Sequence, residues 1–302
     1  MFQVGVDIGG SHIAACLFDS IHHELVLDSK VACHVDPNWD SALVLDTWCS
    51  AISKTIAFAE ADIKGIGIAI PGPFNYFEGI SLITGVNKYE SIYGLNIRNE
   101  VAKRLGLHSS QVRFINDASA FAIAVSKVGK AKAFDRCVAI TLGTGLGASF
   151  IASKKPVFSG SSVPEGGFLY NQLVDGVMAD ELFSTRGLIQ LYKLISGEQV
   201  NSVLDIYERV KTDPKALETF EIFGSELGKF MHPFLEKFGA EVLVLGGNIS
   251  NAFKLFKEPL ITELSIDEVH LSGLMDHAAL IGAALLIDDA YYAELSDLIR
   301  LM

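Results

Sequence analysis

Apolar positions in the first third of the chain come in short runs punctuated by glycine. Residues 2–8 are largely apolar and end in Asp7-Ile8-Gly9-Gly10-Ser11, and a second apolar run covers residues 13–18. Two such runs around a glycine turn predict a β-hairpin. Residues 24–33 alternate loosely and predict a third strand. The period then changes, with Leu43, Trp48, Ile52, Ile56 and Ala59 recurring at helical spacing, so residues 40–61 predict a helix. Residues 65–70 read as a buried strand stopped by Pro71-Gly72-Pro73. A helix over 96–105, a strand over 111–115 running into Asn116-Asp117, and a helix over 118–128 complete a β-then-α alternation. That alternation predicts an α/β fold.

The second half begins in the same way. Residues 136–142 predict a strand, Gly143-Thr144-Gly145-Leu146-Gly147 a turn, and residues 148–153 a second strand. Helical periodicity follows over 182–195, 203–210 and 217–238, then a buried strand over 242–245 ends in Gly246-Gly247-Asn248. Residues 278–287 are apolar throughout but too few to span a bilayer, and read as a buried helix. The economical architecture is two similar α/β lobes with a cleft between them. Residues 1–115 with about 286–302 would form the smaller lobe, and residues 116–285 the larger one.

Composition narrows the function. Asp and Glu number 36 against 24 Lys and Arg, a formal charge of −12, which disfavours a nucleic-acid surface. The start of the chain has neither a basic segment nor an apolar core of signal-peptide length, so a cytoplasmic protein with no membrane partner is expected. Cys16, Cys33, Cys49 and Cys137 lack CxxC spacing and read as reduced thiols, which argues against a cysteine zinc site. His22-His23 reads as a solvated turn, His232 as structural or exposed, and Trp48 as core.

Candidate chemistry gathers at strand ends. Three glycine turns, Gly9-Gly10-Ser11, Gly143-Thr144-Gly145 and Gly246-Gly247-Asn248, can each turn several backbone N–H groups toward one anion. Each alone could be a plain tight turn; three in one chain point to phosphate binding. Neither GxGxxG after the first strand nor GxxxxGK[ST] occurs, which disfavours Rossmann and Walker-type sites. Asp7 beside the first turn would repel phosphate unless a divalent cation intervened, so it is a candidate Mg²⁺ contact through water or phosphate. Asp117 opens a helix straight after a strand, where the helix N-terminus favours its ionised form. A simple helix cap is the alternative for the Asn116-Asp117 pair.

The ordered set Asp7-Ile-Gly-Gly-Ser11, Pro71-Gly-Pro73, Asn87, Asn116-Asp117-Ala118, Leu142-Gly-Thr-Gly-Leu-Gly147, Glu165-Gly-Gly167 and Leu245-Gly-Gly-Asn248 resembles the ROK family. These are sugar kinases and repressors of the actin-like ATPase superfamily, with its two-lobed, ribonuclease H-like fold. The resemblance runs from residue 2 to about 286. It implies an ATP- and Mg²⁺-dependent hexose kinase acting on the sugar 6-hydroxyl, and a homodimer. Glucose is the first candidate acceptor; N-acetylmannosamine, fructose or another hexose is the alternative. Asp117 would be the catalytic base; Asn87, Asn116, Asp117, Glu165 and Asp180 would contact sugar, with Glu181 an alternative to Asp180. Asp7, Gly9, Gly10, Ser11, Gly143, Thr144 and Gly145 would bind phosphates, and Gly246, Gly247 and Asn248 the adenosine.

Two departures from the family pattern stand out. Phe168 occupies the position of the histidine in Glu-x-Gly-His, and no cysteine follows Cys137, so the family's CxCGxxGC zinc site is expected to be missing. The rivals to a kinase are a sugar-responsive repressor, disfavoured because a helix-turn-helix domain ahead of the Asp7 motif is not expected, and a sugar-binding regulator without catalysis.

Overall fold

The N-terminal apolar run folds as β1 (Phe2–Ile8) and its sequel as β2 (His12–Asp19), paired antiparallel from Phe2↔Asp19 to Ile8↔Ile13. β3 (Glu24–His34) joins β2 antiparallel. On the other side β4 (Ile66–Ala69) runs parallel to β1, and β5 (Val112–Ile115) runs parallel to β4. The sheet order is β3-β2-β1-β4-β5. β4 is buried at every position, as expected of a parallel strand covered on both faces. The computed structural model describes residues 1–85 and 88–300.

One cover is α1 (Ser41–Ile56), which the Asp40 carboxylate caps by accepting from Leu43 N at 3.0 Å. It places Trp48 in the core with no exposed surface. The helix stops short of residue 61 because the Phe58 and Ala59 N–H groups turn back onto the Thr55 and Ile56 carbonyls. Lys64 N–H then bonds to Phe2 O, drawing the chain back to the sheet. α2 (Ile97–Leu105) is capped by Asn96 and ends at Gly106. α3 (Asp117–Lys127) follows β5.

The same plan recurs further along. β6 (Arg136–Leu142) and β7 (Leu146–Ala152) form an antiparallel hairpin, β8 (Lys155–Pro156) joins β7, and β9 (Val242–Gly246) runs parallel to β6. β10 (Val269–Leu271) completes a sheet of order β8-β7-β6-β9-β10. α4 (Thr185–Ser196), α5 (Pro214–Phe238) and α6 (Phe253–Thr262) supply its apolar cover. Aromatic rings dominate this core: Phe223 meets Phe183 and Phe256 edge-on, at centroid distances of 6.1 and 5.5 Å. Buried rings of this kind each contribute on the order of 2–3 kcal/mol through removal from water.

The chain then returns to the first sheet. α7 (Ala278–Leu285) lies so close to β1 and β4 that a Cβ on Gly5 or Gly67 would collide with the Leu280 or Ala283 carbonyl. Gly282 of α7 approaches the Ala120 backbone of α3 in the same way. These contacts set the division into two compact units, Met1–Ala124 with the residues from Asp276 onward, and Val125–Met275. The sequence reading put the boundaries at 116 and 286. The difference arises because backbone-to-backbone packing of α7 leaves only small residues in the sequence and no change of period. Its consequence is that Asn116 and Asp117 belong to the same unit as Asp7. Cys16, Cys49 and Cys137 are buried, Cys33 is half-buried, and all four are free thiols. Among the described residues no helix is long and apolar enough to cross a membrane.

Candidate active site

In the first unit, the candidate groups lie at the β1–β2 turn, residues 9–11, and at the start of α3. Asp7 is the penultimate residue of β1, half-buried between fully buried neighbours. Burial and then the neighbouring Asp117 carboxylate push its carboxyl up to about 7; Asp276 adds to this and Lys30 opposes it. Asp117 is half-buried at the first turn of α3. Burial raises its pKa most strongly, offset in part by the Ala118 N–H, which donates to its Oδ1 at 2.9 Å, and by the charge of Lys88. Two carboxylates thus repel one another in a poorly solvated place, a pattern typical of reactive sites.

Asn116 acts as the cap of α3. Its Oδ1 accepts from Ala118 N at 3.0 Å and Ser119 N at 3.3 Å, while its Nδ2 donates to the Tyr76 hydroxyl at 3.2 Å. The Tyr76 hydroxyl in turn donates to Ile70 O at 3.2 Å, tying the end of β4 to the end of β5. The cap reading of Asn116 is therefore realised, and its amide nitrogen is the end directed away from the helix. Gly9 and Gly10 are half-buried and Ser11 is exposed at the turn. Asn87 lies outside the described residues.

In the second unit, the β6–β7 turn at residues 143–145 is braced from below. Asp180 Oδ1 accepts from Leu146 N at 2.7 Å and lies 2.6 Å from where a Cβ on Gly145 would be. Thr185 donates to Gly143 O twice, from its N at 2.7 Å and its Oγ1 at 3.0 Å. Arg186 clasps the far side, donating from Nη1 to Thr144 O at 3.1 Å and from Nη2 to Asp180 Oδ2 at 2.7 Å and Glu181 Oε1 at 2.9 Å. Asp180 is thus committed to the turn and to Arg186, and Glu181 shares the same arginine.

β9 ends beside this turn. Gly247 holds φ at 81°, and a Cβ there would strike the Leu142 carbonyl, so only glycine brings Gly246-Gly247-Asn248 against the end of β6. Gly247 and Asn248 are exposed, and the Gly247 carbonyl is held by Ser250 Oγ at 2.6 Å. Glu165 is exposed in a short 3-10 turn (Glu165–Gly167) that packs beside β7. Phe168 folds its ring over Gly166 and tilts against Tyr170 at 5.6 Å, an apolar contact where the family pattern has an imidazole. The segment where that pattern carries zinc-binding cysteines forms a short hairpin, Leu173–Val174 with Val177–Met178.

Sequence reasoning missed Lys88, Tyr89, Thr185 and Arg186. None belongs to a glycine turn, and each acquires its place through contacts distant in sequence: the Tyr89 hydroxyl, for example, donates to Gly9 O at 2.8 Å. Among the described residues no group of three or more His, Cys, Asp or Glu side chains could cage a metal ion. A single carboxylate such as Asp7 beside the first glycine turn is the kind of ligand Mg²⁺ takes, since that ion keeps most of its waters and leans on one or two carboxylates plus substrate phosphates.

The chain is similar to known proteins along most of its length. An N-acetylgalactosamine kinase, AgaK, of Shewanella sp. (strain ANA-3) is 24% identical, covering 93% of this chain and 95% of its own length. An N-acetyl-D-glucosamine kinase of Pectobacterium atrosepticum is 26% identical over 84% of this chain and 86% of its own length. The crystal structure of a ROK hexokinase from Thermus thermophilus superposes with a TM-score of 0.79 at 23% identity, covering 98% of this chain and all of that one. It shares the two-sheet α/β fold. The ROK family's sequence model matches residues 3–290, and the chain belongs to the ROK family.

Proposed function

We propose that this protein is an ATP-dependent hexose kinase in which Asp117 is the base that accepts the proton of the attacking sugar hydroxyl, the 6-hydroxyl in our reading. The observation that supports the reading is that Asp7 and Asp117 lie in one unit, near enough for the charge of Asp117 to help push the Asp7 carboxyl up to about 7. Phosphoryl transfer requires in-line positioning and charge neutralisation more than covalent chemistry from the protein. Asp7 would hold Mg²⁺ through water or phosphate; the bound cation would neutralise phosphate charge. Asp117, at the start of a helix and short of solvent, is placed to orient a hydroxyl and take its proton late in transfer.

In the second unit, the N–H groups of Gly143, Thr144 and Gly145 would receive nucleotide phosphates, and Gly246, Gly247 and Asn248 the adenosine. The bracing by Asp180, Thr185 and Arg186 supports this, because a preorganised turn loses little entropy on binding an anion. Asn116, through its amide nitrogen, and Glu165 are the proposed sugar contacts. Asp180, expected beforehand to touch sugar, is better read as a brace of the turn.

Glucose is the first acceptor to test. N-acetylhexosamines are the second reading, favoured by the activities named for the two relatives above and by Phe168, whose apolar ring offers a surface to an acetamido methyl group. The test is ATP consumption across a panel of glucose, fructose, mannose and the three N-acetylhexosamines, with phosphorus NMR locating the phosphate. Saturable, Mg²⁺-dependent formation of a 6-phosphate from one member supports the proposal. Sugar binding with no phosphate transfer to any member would leave a non-catalytic regulator as the correct reading.

A further inference from the structure

Lys88 belongs to none of the motifs, yet the fold holds it against the first glycine turn. A Cβ placed on Gly10 would stand 3.1 Å from Lys88 Cε and 3.7 Å from its Nζ, so the side chain crosses the face of that turn. Tyr89 fixes the backbone beside it. Its fully buried ring meets Trp48 edge-on at 5.2 Å, its N–H donates to Pro37 O at 3.1 Å, and its hydroxyl donates to Gly9 O at 2.8 Å. The φ of Tyr89 is 48°, a left-handed backbone seldom adopted by an aromatic residue and sustained here by those contacts. Lys88 itself is exposed, so its ammonium is open to a ligand. Its charge also acts on Asp117, lowering the pKa of that carboxyl against the effect of burial. The cation therefore lies in reach of both the turn that would face phosphate and the carboxylate that would face the sugar hydroxyl.

We propose that Lys88 is a catalytic residue whose ammonium contacts the phosphoryl group during its transfer from nucleotide to sugar. This rests on the kinase reading above and adds to it a residue that the family motifs leave out. In the transfer, the bond between the γ-phosphorus and the bridging oxygen breaks, and ADP keeps the electron pair. A bond forms from the same phosphorus to the sugar oxygen, and the hydroxyl proton passes to Asp117. Lys88 gives up no proton. It meets the charge spread over the three peripheral oxygens, which a compact ammonium with three rotatable donors can follow through the reaction. It also lessens the repulsion between Asp117 and the incoming phosphoryl group.

The test uses the full chain with Lys88→Met and Lys88→Arg, and the sugar that the wild type phosphorylates fastest. For Lys88→Met, kcat should fall on the order of 10²-fold, as for loss of one preorganised charge partner, with KM for ATP and sugar changed less than about threefold. Lys88→Arg should recover at least about tenfold of that loss, since it restores the charge. In titration calorimetry, ADP with aluminium fluoride and sugar, which mimics the group in flight, should bind Lys88→Met at least about tenfold more weakly, while ADP alone binds as before. A Lys88→Met protein with wild-type kcat, or one whose defect lies in KM alone, would overturn the inference and leave the kinase reading standing. A wild-type protein that phosphorylates no sugar would overturn the kinase reading, and this inference with it.

Discussion

The hairpins β1–β2 and β6–β7 are built on one plan and differ in charge. β1 and β6 are both seven residues long and share the same succession of buried and half-buried positions, so Asp7 of the first corresponds to Thr141 of the second. Each is followed by a turn of three residues, 9–11 and 143–145, and each heads a sheet of the same strand order. Around the second turn the Asp180 carboxylate accepts from the Leu146 N–H and pairs with Arg186, which also holds Glu181. Around the first, burial and then the charge of Asp117 push the Asp7 carboxyl up to about 7, out of the usual carboxylate range, with Lys30 opposing too weakly to hold it down. One copy of the plan is braced, the other electrostatically loaded. In our reading, the braced turn grips the nucleotide and the loaded one performs the chemistry.

That contrast can be broken by substitution, and the largest effect should come from the loaded turn. Asp7→Asn should reduce kcat at saturating Mg²⁺ and ATP by on the order of 10²-fold or more, since the cation loses its only protein carboxylate in this proposal. The braced turn should respond more mildly. Arg186→Ala removes a surface clasp that is itself worth no more than about 1 kcal/mol. It should raise KM for ATP by about three- to tenfold with kcat nearly unchanged, because the turn is loosened while the reacting groups are untouched. A collapse of kcat on Arg186→Ala would erase the distinction between the two turns.

The smallest effect sharpens the contrast through stability. An acid with a higher pKa folded than unfolded binds its proton more tightly when folded. Asp7 is therefore neutral in both states below about pH 4 and draws stability away as the pH rises from there through 7. Ligand-free Asp7→Asn should be more stable than wild type at pH 8 by about 1–3 kcal/mol, the gap closing toward pH 4. Thermal melts of both proteins across that range check it. A destabilised Asp7→Asn at pH 8 would show that the carboxylate is satisfied rather than strained.

The parts legible in the sequence are those fixed by local chemistry. The apolar runs around Gly9-Gly10-Ser11 and Gly143-Thr144-Gly145 admit little but a strand, a tight turn and a strand, and both hairpins formed as expected. Asp117 could be placed at a helix start because a strand pattern ends immediately before it. What escaped was tertiary. α7 was legible as a buried helix, but its docking on Gly5 and Gly67, which moves the unit boundary by about ten residues, is backbone-to-backbone and leaves no periodic trace. Asp180 and Arg186 find the second turn across a gap of some forty residues, and no spacing rule announces that meeting. Lys88 sits in a loop where periodicity is silent, and its position follows from the fold of Tyr89 onto Trp48 and Gly9.

The most direct test of the central claim is turnover of Asp117→Asn. Asparagine keeps the side-chain oxygen that accepts from Ala118 N, so α3 should start as before and the far-ultraviolet circular dichroism should be unchanged. With ATP, Mg²⁺ and the best sugar saturating, the account predicts a kcat lower by on the order of 10²–10⁴, with sugar still bound. A folded Asp117→Asn protein that turns over at close to the wild-type rate would contradict it.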